Sequence, residues 1–88
     1  MTMILESAVD DFDDLPRLRE QVQAALAREH VDPCDGDVVV LVLGELVTNA
    51  LRHGLPPRAV YVGTTGPATV VSVTDAGPGR PERRDAAA

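Results

Sequence analysis

The chain has 88 residues, enough for one small domain, and carries a net charge of −6 with no lysine among its eight basic residues. That balance argues against nucleic acid as a partner, since binding a phosphate backbone needs a concentrated basic surface. Cys34 is the only cysteine, which excludes an internal disulfide and a multi-cysteine metal site.

A domain of this size buries only roughly two-thirds of its unfolded surface. Its core must be aliphatic, because Phe12 and Tyr61 are the only aromatic residues. The longest apolar run, Val38 to Leu43, is too short to span a membrane. The acidic N-terminal region, with Glu6, Asp10, Asp11, Asp13 and Asp14, does not read as a signal peptide. A cytoplasmic protein with no membrane partner is expected.

Met3 to Val9 mixes Ile4, Leu5 and Val9 with Glu6 and Ser7 and reads as an edge strand. Asp10 to Asp14 is a charged break, in which Asp13 or Asp14 can cap the next helix, with Pro16 in its first turn. Leu15 to about Glu29 is an amphipathic helix with Leu18, Val22, Ala25 and Leu26 on its apolar stripe. His30 to Asp37, with Pro33 and Gly36, reads as a loop.

The central helix is expected from about Val38 to His53, with Gly54 as its C-cap and Pro56 and Pro57 beyond. Leu43, Leu46, Val47, Ala50 and Leu51 recur at the spacing of a buried stripe. Gly44 in this helix allows close approach of a neighbour. Glu45 and Asn49 lie one turn apart on another face. A carboxylate there can take a proton from a hydroxyl or water, and an amide oxygen can coordinate a hard cation such as Mg2+. In isolation, such a pair is more often a solvated polar face.

Ala59 to Thr65 and Ala68 to Asp75 read as two strands joined by a turn at Gly66-Pro67. Val71, Val73 and Asp75 share one side of the second strand, the side that helices would cover. A carboxylate there needs a polar partner, and a backbone amide would serve. Gly77 and Gly79 follow it, either as a plain tight turn or as backbone that can approach a flat ligand closely. Arg80 to Ala88 lacks apolar periodicity and reads as a frayed polar tail.

Glu45-x-x-x-Asn49 within Glu45-Leu-Val-Thr-Asn-Ala-Leu-Arg-His53-Gly54, followed by Asp75-x-Gly77-x-Gly79, resembles the N box and first glycine box of the histidine-kinase-like ATPases, the GHKL or Bergerat-fold family. The wording of the first motif is most similar to the branch of anti-sigma-factor serine kinases and related regulatory ATP-binding proteins. The resemblance implies an α/β (α+β) fold: a two-layer sandwich with helices on one face of a small mixed, mostly antiparallel sheet. It further implies ATP and Mg2+ as cofactors, with Glu45 as the general base and Asn49 as the Mg2+ ligand. Asp75 would read the adenine amine in a pocket shaped by Gly77 and Gly79. His53 and Arg52 would support the site. The implied activity is ATP-dependent phosphorylation of a serine or threonine on an anti-anti-sigma protein, with a sigma factor as the other partner and a homodimer as the assembly.

The family continues past the first glycine box into a lid and a second glycine-rich box that wraps the triphosphate, and the sequence stops short of both. Residues 1–81 are therefore expected to form the N-terminal part of such a domain, an incomplete Bergerat fold, with 82–88 as the polar tail. Kinase activity would depend on the missing half. The alternative is a non-catalytic protein-interaction domain on the same scaffold.

Overall fold

The computed structural model describes residues 1–77 and the backbone of Glu82–Ala87. The order of elements is β1 (Thr2–Val9), a 3-10 turn (Phe12–Asp14), α1 (Leu15–Arg28), α2 (Pro33–His53), β2 (Arg58–Thr65), β3 (Ala68–Thr74) and β4 (Glu82–Ala87). The strands form one sheet in the order β1-β2-β3-β4, and every pairing is antiparallel. This is the expected α+β sandwich, with β1 at one edge and two helices on one face.

Strand alternation sorts the sheet into two faces. Val9, Val60, Val62, Val71 and Val73 join Leu18, Val22, Leu26, Val39, Leu43, Leu46 and Val47 in a single aliphatic core. On the opposite face Met3, Tyr61, Gly63, Val70 and Ser72 line a shallow depression of about 190 Å3.

Two elements differ from expectation. The central helix starts at Pro33, not near Val38, because the Asp32 carboxylate caps it by accepting the Cys34 N–H at 2.8 Å and Pro33 fills the first position, where no N–H is needed. Gly36 therefore lies within a helix rather than a loop. The stretch read as a frayed polar tail contains β4, which pairs with β3 from Val73↔Glu82 to Thr69↔Ala87. Backbone hydrogen bonds make this strand, and charged residues suit an outermost position.

Neither Asp13 nor Asp14 caps α1 with its side chain. The Asp14 carboxylate instead reaches back to accept the N–H groups of Asp10 at 2.8 Å and Asp11 at 3.2 Å, with Arg17 at 3.6 Å. It therefore ties the end of β1 to the start of α1. These two N–H donors, then the Arg17 charge, hold the Asp14 carboxyl below the ordinary aspartate value. A lowered folded pKa means that this tie stabilises the fold above about pH 4 and is lost as pH falls through the lowered value. The expected result is that Asp14→Asn lowers the melting temperature at pH 7 and has a smaller effect near pH 2, as read by thermal denaturation at both pH values.

The turn between the helices is a Schellman motif. The His30 N–H donates to the Ala27 carbonyl at 3.1 Å and the Val31 N–H to the Leu26 carbonyl at 3.0 Å. His30 has φ of 57°, the left-handed conformation that glycine adopts without steric cost. His30→Gly is expected to stabilise the protein by up to ~1 kcal/mol, the relief of strain being partly offset by the greater freedom of glycine in the unfolded chain. Urea denaturation measures it, and a net loss of stability would show that the His30 side chain contributes more than the strain costs.

Candidate functional site

Helix α2 carries two stripes. Val39, Val42, Leu43, Leu46 and Val47 are buried against the sheet and α1. Val40, Leu41, Gly44, Glu45, Thr48 and Asn49 follow the same i, i+3, i+4 spacing on another side. With Asp37 and with Arg19 of α1, they line an open groove of about 680 Å3. The structure thus brings Glu45 and Asn49 together, both exposed, in one concave surface. Gly44 lies opposite Arg19: a methyl group on Gly44 would sit 3.6 Å from the guanidinium, an ordinary contact. The neighbour that approaches this glycine is a side chain.

A second group forms where α2 ends. The Asp75 Oδ1 accepts the Gly77 N–H at 2.6 Å and, more weakly, the Leu55 N–H at 3.4 Å. The Ala76 N–H donates to the Leu55 carbonyl at 2.8 Å. These bonds join the end of β3 to the residues just after α2. Backbone amides therefore meet the Asp75 carboxylate, which is exposed at the rim of the core face.

Gly54 caps α2 with its N–H to the Ala50 carbonyl at 2.9 Å. Its φ of −89° and ψ of 170° are open to any residue, so the left-handed cap expected of a glycine is not the reason for it. The reason is space. A Cβ at this position would stand 2.7 Å from the Ala50 carbonyl oxygen and 2.7 Å from the Asp75 carboxylate.

Arg58 completes the joint, and sequence reasoning missed it. Its Nε donates to the Ala50 carbonyl at 2.9 Å, one terminal nitrogen to the Gly54 carbonyl at 3.2 Å, and the other to the Asp10 carbonyl at 3.4 Å. A guanidinium on the last carbonyls of a helix satisfies orphan acceptors and meets the negative end of the dipole. The only signal in the sequence is a basic residue shortly after a helix end.

The groove and the joint lie on the same helix. Asn49 precedes Gly54 by five residues, about 7–8 Å of helix axis. His53 is exposed in the last turn, where its ring suits the helix dipole, and is not among the residues lining the groove. Gly79 lies outside the described residues.

A family model described as "Histidine kinase-like ATPase domain" matches residues 9–88. The chain belongs to this family. No curated protein and no solved structure matches the chain. In a histidine kinase-like ATPase domain the ligand class supported by membership is ATP. No helix among the described residues is long and apolar enough to cross a membrane.

The joint leads to a specific expectation. Gly54→Ala should destabilise the fold by about 1–3 kcal/mol, as overpacking does. Combined with Asp75→Ala, its cost should fall short of the sum of the single changes by more than about 0.5 kcal/mol, since removing the carboxylate makes room on one side of the new methyl. Urea denaturation of the four proteins measures this coupling, and simple additivity would contradict the contact.

Proposed function

We propose that the domain binds ATP with Mg2+ along α2 and, with the family's lid and second glycine-rich box supplied, acts in the cytoplasm as an ATP-dependent serine/threonine kinase and anti-sigma factor toward an anti-anti-sigma protein, as a homodimer with a sigma factor as its other partner. The observation that carries this reading is one helix presenting Glu45 and Asn49 in its groove and, at its end, an aspartate whose Oδ1 is held by backbone amides.

The residues fit Mg2+ in the way that phosphate-bound Mg2+ is usually held. Among the described residues there is no group of three or more His, Cys, Asp or Glu side chains able to bind a metal alone. A single carboxamide beside a carboxylate suits an ion that keeps water and arrives with phosphate oxygens. When bound, Mg2+ neutralises charge on the phosphates. Asn49 holds it in place, and Glu45 accepts the proton of the partner's serine or threonine hydroxyl. ATP would supply the γ-phosphoryl group to the hydroxyl oxygen, with ADP as the leaving group.

At Asp75, the amide bonds to Oδ1 fix the carboxylate and leave Oδ2 to accept the exocyclic amine of adenine. Gly77, held by Asp75, supplies backbone without a side chain beside the base. Gly79 would extend that pocket.

A second reading, a non-catalytic interaction domain, is favoured by Leu41 and Val38, which are 64% and 44% exposed on α2. Apolar residues beside a groove suit a protein partner.

Two variants separate the readings. Glu45→Gln keeps size and hydrogen bonding but loses basicity, so ATP binding should survive while phosphate transfer falls by roughly 10²–10⁴-fold. Asn49→Ala should lose Mg2+-dependent ATP binding and transfer together, with adenosine binding intact. Calorimetry with and without Mg2+, and transfer of labelled phosphate to anti-anti-sigma proteins, measure both. If neither variant changes either readout, the interaction reading is the correct one.

A further inference from the structure

Of the described arginines without a hydrogen bond or ion pair, Arg19, Arg28 and Arg52, Arg19 is the one that lines the groove. Arg17 bonds to Ser7 and Gln21 and faces Asp14, and Arg58 is locked onto backbone carbonyls. Arg19, among the described residues, makes neither a hydrogen bond nor an ion pair. Yet it lies in the groove beside Glu45, Thr48 and Asn49, with Asp37 on the same wall. It is the only cation among the described residues lining that groove.

We propose that Arg19 is the phosphate-reading residue of this groove, contacting the terminal phosphate of a bound nucleotide and making affinity depend on phosphate charge. This rests on ATP being the ligand, as proposed above.

Three features support it. The Arg19 guanidinium passes over Gly44, 3.6 Å from where a methyl group there would stand, so Arg19 lies close against α2. Leu18, Val22 and Leu26 of α1 and Val39, Leu43 and Val47 of α2 all lie in the core, so the helix that carries Arg19 is anchored beside α2. A guanidinium presents N–H donors in a planar fork that matches phosphate oxygens, two at a time. A polyanion entering a groove that already holds the Asp37 carboxylate gains from such a counter-charge. Asn49, through Mg2+, meets one part of the phosphate chain. Arg19 approaches from the facing helix and can meet another.

The test is calorimetry of the whole chain with ATP, ADP and adenosine, each with MgCl2, on wild type, Arg19→Gln, Arg19→Lys and Arg28→Gln. Arg28 is exposed in the last turn of α1 and lies outside the groove. Arg19→Gln is expected to weaken ATP by about tenfold or more, the usual scale for a hydrogen bond to a charged group. ADP should weaken less and adenosine not at all. Arg19→Lys, which keeps charge but loses the fork, should fall between, and Arg28→Gln should match wild type. Unchanged ATP affinity in Arg19→Gln would overturn the inference while leaving ATP binding intact. Equal losses for ATP and adenosine would overturn it too, since Arg19 would then be shaping the groove. A wild-type protein that binds none of the three would remove the functional proposal and this inference with it.

Discussion

The space at Gly54 fixes the relation between the helix and the sheet. With a hydrogen in place of a side chain, the Asp75 carboxylate can approach to where a methyl group would have stood 2.7 Å away. That closeness lets Asp75 accept the Leu55 N–H across the joint, and lets the Ala76 N–H reach the Leu55 carbonyl. Arg58 closes the same joint from β2 through the carbonyls of Ala50 and Gly54. The last turn of α2 is thus tied to two strands by polar contacts, and the position of Asp75 relative to Asn49 follows from them. In the proposed site, where Asp75 would read the base and α2 would hold the phosphates, the two roles need that fixed spacing.

The division of α2 into two stripes explains how a thin domain can spare residues for chemistry. Val39, Leu43 and Val47 are wholly buried, and Leu46 nearly so. Each such side chain stabilises the fold by roughly 1.5–3 kcal/mol relative to exposure. The helix is therefore anchored by its apolar stripe, on a different side from Glu45 and Asn49. Those two can be chosen for reactivity, on a backbone that the leucines and valines hold still. Family membership gives this arrangement its meaning, since ATP is a ligand with both a base to read and phosphates to hold.

Much of this was legible in the sequence, and the exceptions have physical causes. The buried stripe from Leu43 to Leu51, the hairpin at Gly66-Pro67 and the one-turn spacing of Glu45 and Asn49 follow from periodicity and turn chemistry, which are local. The start of α2 was misplaced because Gly36 reads as a loop residue, while the stronger local signal, Asp32 followed by Pro33, is a cap and a first-turn proline. β4 was missed because Glu82, Arg83, Arg84 and Asp85 offer no alternation. Its existence depends on backbone pairing with β3, which only the folded sheet provides. Arg58 and the tight packing at Gly54 are tertiary facts. The return of β2 onto the end of α2 and the approach of Asp75 create them, and the one local hint is a basic residue shortly after a helix end.

The assignment of α2 and the end of β3 to one nucleotide site is tested most directly by amide chemical-shift mapping of the whole chain as MgATP is added. The site predicts that the backbone signals of Gly54, Leu55, Asp75 and Gly77 and the side-chain amide of Asn49 move together with a single saturation curve. Shifts confined to the far end of the molecule, around Asp32 and the Gly66 turn, or no shifts at millimolar MgATP, would contradict it.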